Sequence, residues 1–411
     1  MAPARRNIPE LARPRPQIWW SNATFFCLVH VLAVAGVFIR PLRVVPYKTL
    51  LLALVSWQLG EFGITIGYHR LYSHRAFRAT PGVRVVLALL GSSAFQGSIK
   101  WWCLRHRLHH RFTDDLEHDP YAATRGLFYS HMGWIFFKPN YQKMSFIDRD
   151  DLEADPVVRF QHKYYVPLAL FFGFMLPPLV GLLWHDAFGA FIWAGLVSRV
   201  AIWHCTFLVN SLAHWDGLQP YSDEDTSRGN LLLAVLTSGE GNHNFHAFPH
   251  DYRSGPSPFD WDPSKWLILG LRYLGLAKGL RKARDDDMAE AIDYMHQKAH
   301  PGAIESEDLD DWHGDTWDRQ QLAEYLSMKP GSCILLIDGY AVNATFYLAE
   351  HPGGASILRR YSLSVGNDDK VEASEASWAF NGGLNNHSRS AKRRLRGLRV
   401  ARVSFDRKDM K

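Results

Sequence analysis

The sequence predicts a mostly α-helical protein with four membrane-spanning helices, a cytosolic helical cap and a small α+β unit toward the C-terminal end. Three observations predict it. Four apolar stretches approach the length a bilayer demands. Histidines cluster beside the ends of those stretches. After about residue 275 the chain becomes charged and loses its long apolar runs.

The 411 residues allow two domains or more. Residues 1–20 read as a basic, proline-containing tail. The expected spans are Asn22–Ile39, Leu50–Tyr68, Val166–Trp184 and Phe188–Val209. "LAVAG" in the first offers small residues at Ala33 and Ala35, as a cleaved leader would, but the apolar run continues past them. Val83–Gly97 is short and carries Arg84, Gly91 and two serines, so it reads as an interfacial helix. Counting it as a span would put the first histidine cluster across the membrane from the second. With four spans, residues 69–165 and 210–411 share one face. The basic tail places that face, and both termini, in the cytosol. Arg40, Arg43 and Lys48 in the first hairpin loop run against that rule. Trp19–Trp20 and Trp101–Trp102 suit membrane interfaces.

The net charge is +5, with no concentrated basic stripe, so no nucleic-acid partner is expected. The four cysteines lie far apart and form no CxxC, which fits a reducing compartment. Twenty histidines is the abnormal count.

"GYHRLYSHR" places His69 and His74 just beyond the second span. Five residues apart, they share no face of a straight α-helix and meet only if it ends or kinks. "RHRLHHR" puts His106, His109 and His110 on one helical face. "NSLAH" adds His214 after the fourth span, and "GEGNHNFH" adds His243 and His246. Eight imidazoles exceed the needs of one tetrahedral ion, so two ions are expected. A cytosolic site roofed by lipid-embedded helices invites a lipid substrate. An unactivated acyl C–H bond offers no acidic proton and no leaving group, so redox-inert zinc could not attack it. A pair of irons with O2 could, given two electrons per turnover. That requirement asks for an electron source.

Residues 276–311 read as a charged helix and linker, 312–404 as a small unit, and 405–411 as a tail. Within the unit, "LLIDGYAVNATFYLAEHPGGASILRRY" contains His351 before a proline and two glycines, and "NGGLNNHSRSAKRRL" contains His387. This stretch resembles a cytochrome b5 domain. The resemblance implies that His351 and His387 bind haem b from opposite faces. With both axial positions filled, the haem carries electrons and does not activate O2. The interval between the two histidines is longer than in typical members, and "SLSVGNDDKVEASEASWAF" reads as an insertion or rebuilt loop.

The clusters "HRLYSH", "HRLHH", "NSLAH" and "GEGNHNFH", together with "DPYAATRGLFYSHMGW", resemble a membrane acyl-CoA desaturase of the delta-9 (stearoyl-CoA) type over roughly residues 20–275. The C-terminal haem unit is the fungal arrangement. The resemblance implies a di-iron site on His69, His74, His106, His109, His110, His214, His243 and His246. It implies that Asn210 hydrogen-bonds a metal-bound water. It also implies an acyl-CoA substrate, O2, an NAD(P)H-dependent cytochrome b5 reductase as partner, and residence in the endoplasmic reticulum membrane with a cytosolic active site. Arg105 and Lys138 are candidates to meet the coenzyme A phosphates. The sequence departs from the family at Ala247, where another histidine is expected. His250, four residues beyond His246, is the substitute to consider. A lipid hydroxylase with the same di-iron chemistry, and a catalytically impaired membrane haem protein, are the competing readings. A metal transporter fits poorly, because the histidines gather at span ends and not mid-membrane.

Overall fold

The computed structural model describes residues 16–299 and 312–404, apart from 249, 352, 366–370, 373–375 and 385–386. Most of the expected N-terminal tail, the end of the linker, part of the 362–380 insertion and the tail 405–411 lie outside the described residues.

Among the described residues, four helices are long and apolar enough to span a bilayer: Trp20–Ile39, Tyr47–Ser73, Tyr165–Trp184 and Ala187–His214. Each expected span falls inside one of them. Their outward faces, such as Leu28, Val31 and Phe38 on the first, are exposed and apolar, as lipid contact requires. Inward, Phe26 of the first span packs on Trp203 and Phe207 of the fourth. Val83–Gly97 is not a span. It lies largely within a 13-residue helix, Pro81–Ser93, packed across the second span.

That packing depends on two glycines. A Cβ on Gly63 would lie 2.2 Å from the backbone nitrogen of Gly91, and a Cβ on Gly91 would lie 2.2 Å from the Tyr68 ring. The two backbones therefore touch with nothing between them. The fully buried Tyr68 hydroxyl accepts from Gln161 Nε2 at 2.8 Å, which ties in the helix Pro156–Lys163.

Arg40, the hairpin-loop cation that runs against the charge rule, is paired. Its Nη2 donates to Asp186 Oδ1 at 2.6 Å, across to the second hairpin loop. Asp186 also accepts from Thr49 Oγ1 at 2.7 Å. The local charge is thus neutralised within the protein. Arg43 and Lys48 have no such partner among the described residues.

On the other face, short helices form a cap. Asp151 accepts from Arg107 at 2.7 and 2.9 Å and from Arg75 at 2.9 Å. Arg75 follows His74, and Arg107 follows His106. The carboxylate therefore pins two histidine segments to one another.

Beyond the helix Asp285–Ala299 comes a four-stranded sheet in the order Thr316–Trp317, Arg399–Val403, Tyr340–Asn343, Ile334–Ile337. The first pair is parallel and the others antiparallel. Asp318 and Gln321 form a reciprocal cap on the helix Arg319–Met328. This unit rests on the cap. The Arg389 backbone N–H donates to Glu224 Oε1 at 2.7 Å, and its guanidinium pairs with Asp223 and stacks on Tyr294. Arg281 Nη2 donates to the Ala349 carbonyl at 2.9 Å.

Gly63→Ala is expected to lower the thermal midpoint of the solubilised protein by several degrees, at about 1–3 kcal/mol of overpacking. Gly82→Ala, whose Cβ meets open space, is expected to leave it unchanged. Equal effects from both would contradict the close approach. A second outcome concerns pH. Burial raises the Asp151 carboxyl, but Arg107 and then Arg75 outweigh it and hold it down at about 2. Unfolded, it titrates near about 3.9, so its contribution is complete above that value and is lost as pH falls toward 2. The gap in midpoint between the wild type and Asp151→Asn should close on acidification over that window. A gap constant with pH would refute it.

Candidate metal centre

The five-residue interval between His69 and His74 has a structural answer. The second span widens into a π-helix over Gly63–Ser73. The His74 N–H donates to the His69 carbonyl five residues back, at 3.0 Å. One π-turn thus brings the two rings edge to face, 4.6 Å apart. His106, His109 and His110 come from the helix Ile99–Arg111, which Ser98 caps by accepting from the Trp101 N–H. His214 closes a short 3₁₀ turn, Leu212–His214. His243 and His246 sit on a second 3₁₀ turn, His243–Ala247.

These eight side chains meet as two groups. His69, His74, His106, His110 and His246 form one; His109, His214 and His243 form the other, with ligand atoms within 4.8 Å of one another in each. In the first group Nε2 faces Nε2: His74 to His106 at 2.7 Å, His69 to His246 at 3.1 Å, His74 to His246 at 3.1 Å and His106 to His110 at 3.1 Å. Five imidazole nitrogens aimed at one point cannot all be satisfied by hydrogen bonds among themselves. A cation at their centre satisfies them. The groups adjoin, with the His109 and His110 rings 5.6 Å apart and those of His243 and His246 5.5 Å apart.

The far nitrogens are held from behind. His109 Nδ1 meets Asp119 Oδ1 at 2.8 Å. His214 Nδ1 meets Thr226 Oγ1 at 2.9 Å, and that hydroxyl donates to Asp114 Oδ1 at 3.0 Å. His69 Nδ1 lies 3.2 Å from Glu240 Oε1. The Asp119 and Thr226 contacts fix the tautomers of His109 and His214 and aim their Nε2 inward; the His69–Glu240 approach is a close charge contact without hydrogen-bond geometry. His214 Nε2 is buried with no partner, as a ligand awaiting an ion would be.

Electrostatics agree with this geometry. Burial, and then the neighbouring imidazoles, hold His74, His106, His110 and His246 well below the ordinary histidine value. Burial and then His214 do the same to His243. All five are neutral at pH 7, the form that ligates. Burial lowers His109 too, but Asp119 outweighs it and raises the group. Burial would raise Glu240; Arg70 and then His69 outweigh it and hold the carboxyl at about 2.

Other expected residues fall as follows. Asn210 lies half-buried in the last helical turn before His214. His250 belongs to neither group. Its Nδ1 donates to the His74 carbonyl at 2.9 Å, and its Nε2 is buried without a partner. Arg105 is buried between Trp101 and Trp134, at 4.0 and 4.3 Å from their rings, so it is withdrawn from any surface phosphate. Lys138 is exposed. Asp119, Thr226 and Glu240 were not singled out by sequence reasoning. Glu240 carried a signal, standing three residues before His243.

In the C-terminal unit, His351 and His387 face one another with ring centres 6.5 Å apart. Two metal–imidazole bonds of about 2 Å, each with about 1 Å from nitrogen to ring centre, span about 6 Å. His351 Nδ1 meets the Gly354 carbonyl at 3.2 Å and His387 Nδ1 meets the Phe380 carbonyl at 2.8 Å, so each ring turns Nε2 toward the gap. Leu335, Ile337, Val342 and Leu358 wall the slot. An apolar slot between two aimed imidazoles fits haem.

Asp119→Ala is expected to lower metal affinity at the three-histidine group by about 10–100-fold. Mass spectrometry after dialysis against a mild chelator should then read one iron per chain where the wild type keeps two. Two irons retained would show that Asp119 does not support a ligand.

Comparison with known proteins is consistent with this architecture. The fatty acid desaturase family model matches residues 40–250. A probable acyl-CoA desaturase of Schizosaccharomyces pombe is 37% identical over 402 residues, covering 94% of this chain and 79% of the relative. Acyl-CoA desaturase 1 of Saccharomyces cerevisiae is 37% identical, covering 85% of this chain and 67% of the relative. Human stearoyl-CoA desaturase 5 is 37% identical, covering 66% of this chain and 82% of the relative. With four apolar helices and two histidine groups gathered at the exits of the second and fourth, this chain belongs to the fatty acid desaturase family.

Proposed function

We propose that the chain is an acyl-CoA desaturase that inserts a cis double bond, at the delta-9 position, into a saturated acyl-CoA. The observation that carries this reading is the pair of adjoining histidine groups, buried at the membrane exits of the second and fourth spans. The names of the relatives support acyl-CoA as the substrate class. When bound, an iron pair on these groups supplies the power to activate O2 and oxidise an unactivated C–H bond. His69, His74, His106, His110 and His246 hold one ion. His109, His214 and His243 would hold the other, and Asn210, in the last helical turn before His214, would hydrogen-bond a water there. Asp119 and Thr226 hold the far nitrogens of His109 and His214 and so aim their Nε2 atoms inward, while Glu240 stands behind His69. Burial of the whole set keeps bulk water out.

Each turnover consumes two electrons. The unit at 312–404 is read as a cytochrome b5-like domain with haem b between His351 and His387. It takes electrons from an NAD(P)H-dependent reductase and passes them to the metal centre. The S. pombe match, spanning 94% of the chain, supports its being part of the working enzyme. Residues 21–275 form the membrane desaturase domain and 276–311 the connecting helix and linker. The four spans make this a multi-pass membrane protein. Residence in the endoplasmic reticulum, with both termini and the site in the cytosol, follows from the same reading.

Stearoyl-CoA, NADH, O2 and a cytochrome b5 reductase, mixed with the purified holoenzyme, should yield monounsaturated acyl-CoA. Hydroxyacyl-CoA as the sole product would favour the hydroxylase, and no product despite two irons and haem would favour the impaired protein. His351→Ala should abolish the haem absorbance and leave turnover dependent on added free cytochrome b5.

A further inference from the structure

The two centres share one space. A cavity of about 930 Å³ is lined by His74, His110 and His246 on one side and by His351 and His387 on the other, with Arg111 and His250 between. Arg111 ends the helix Ile99–Arg111, next to His110. Its Nη1 donates to the Phe146 carbonyl at 2.7 Å. Its Nε is fully shielded and has no partner. Among the described residues no carboxylate pairs with this guanidinium. The ionisable group that acts on it is the Tyr361 phenol of the C-terminal unit. Arg111 lines the same cavity as His351 and His387.

A half-buried cation without an anion is costly, and a guanidinium offers a planar fork of donors matched to carboxylate. Haem b carries two carboxylates, its only anionic substituents. The slot between His351 and His387 is walled by apolar side chains such as Leu335, Ile337, Val342 and Leu358. Lys392 also lines the wider cavity; Arg389, Arg393 and Arg394, which line it too, already pair with Asp223, Glu290 and Glu350. We propose that Arg111, from the membrane domain, binds a haem carboxylate across the junction, so that the cap completes the haem site of the C-terminal unit. This rests on the haem reading above. Arg111 then does two things. It holds the docked haem edge on the side that faces His74, His110 and His246. It also cancels a negative charge beside the haem, which favours the reduced state. A second source of anion, the phosphates of acyl-CoA, shares the same chemistry. The haem is preferred because Arg111 lines the same cavity as both axial imidazoles.

The test uses full-length holoprotein carrying Arg111→Gln, with iron content measured to show that the His106–His110 helix is intact. Three quantities are read: haem loss to excess apomyoglobin, haem midpoint potential, and the KM for stearoyl-CoA. The expected result is haem loss faster by about tenfold, the loss of one charged hydrogen bond, a more negative potential, and an unchanged KM. Arg111→Lys should recover part of both haem effects. Wild-type haem loss and potential would overturn the proposal, whether KM rises, as phosphate binding would require, or stays the same. His351→Ala separates the two layers. If it keeps its haem, the haem reading falls and this proposal with it. If it loses its haem while Arg111→Gln behaves as wild type, this proposal alone falls.

Discussion

The buried Arg70 guanidinium is the interaction on which the metal centre depends. It follows His69 at the end of the second span. Its Nε and Nη2 donate to Glu240 Oε1 at 3.1 and 3.0 Å, and its Nη1 donates to Asp262 Oδ2 at 2.9 Å and to the Tyr252 carbonyl at 2.8 Å. Glu240 stands behind His69 and just before the turn that carries His243 and His246. Asp262 caps the helix Pro263–Tyr273. One side chain therefore fixes the end of a membrane helix to the loop that must close over it. Removing it would strand two buried carboxylates, which is far worse than never having built the network. The histidines can converge because the charges behind them are already settled.

The unequal split of the ligands follows from backbone geometry. An α-helix puts residues i and i+4 on one side, and His106 and His110 enter the same group, while His109 turns to the other. On the tighter turn His243–Ala247 the two histidines part, His243 to the three-membered group and His246 to the five-membered one. The position after His246, alanine here, is where the family resemblance leads one to expect a further ligand. With His246 drawn to the larger group, the deficit falls on the smaller. His250 does not repair it, because its Nδ1 is committed to the His74 carbonyl and it belongs to neither histidine group.

Much of this was legible in the sequence. Span lengths and apolar runs placed the four membrane helices, since a bilayer leaves few alternatives. Helical spacing identified His106, His109 and His110. What spacing could not give was the way His69 and His74 meet. A kink or a helix end was required, and the chain uses a π-turn whose five-residue step matches the interval. Nor could it give Asp119, Thr226 or Arg70, whose roles arise from contacts between distant segments: Arg70 and Asp262 are separated by 192 positions. Arg105 shows the reverse failure. Charge alone marked it as a phosphate ligand, yet two tryptophan faces enclose it as a cation–π partner.

In the proposed function, fusing the electron donor to the acceptor changes what the interface between them must do. A separate carrier has to find its partner by diffusion and leave again. A tethered one is present at high effective concentration, so each contact can be weak. The contacts here fit that role: the Arg389–Asp223 pair and the Arg389–Glu224 bond are half-exposed and screened by salt. Such an interface orients without locking. In the proposed function, an interface of this kind would let the C-terminal unit leave the cap to be reloaded by a reductase, because polar, half-exposed contacts are weak enough to let it go.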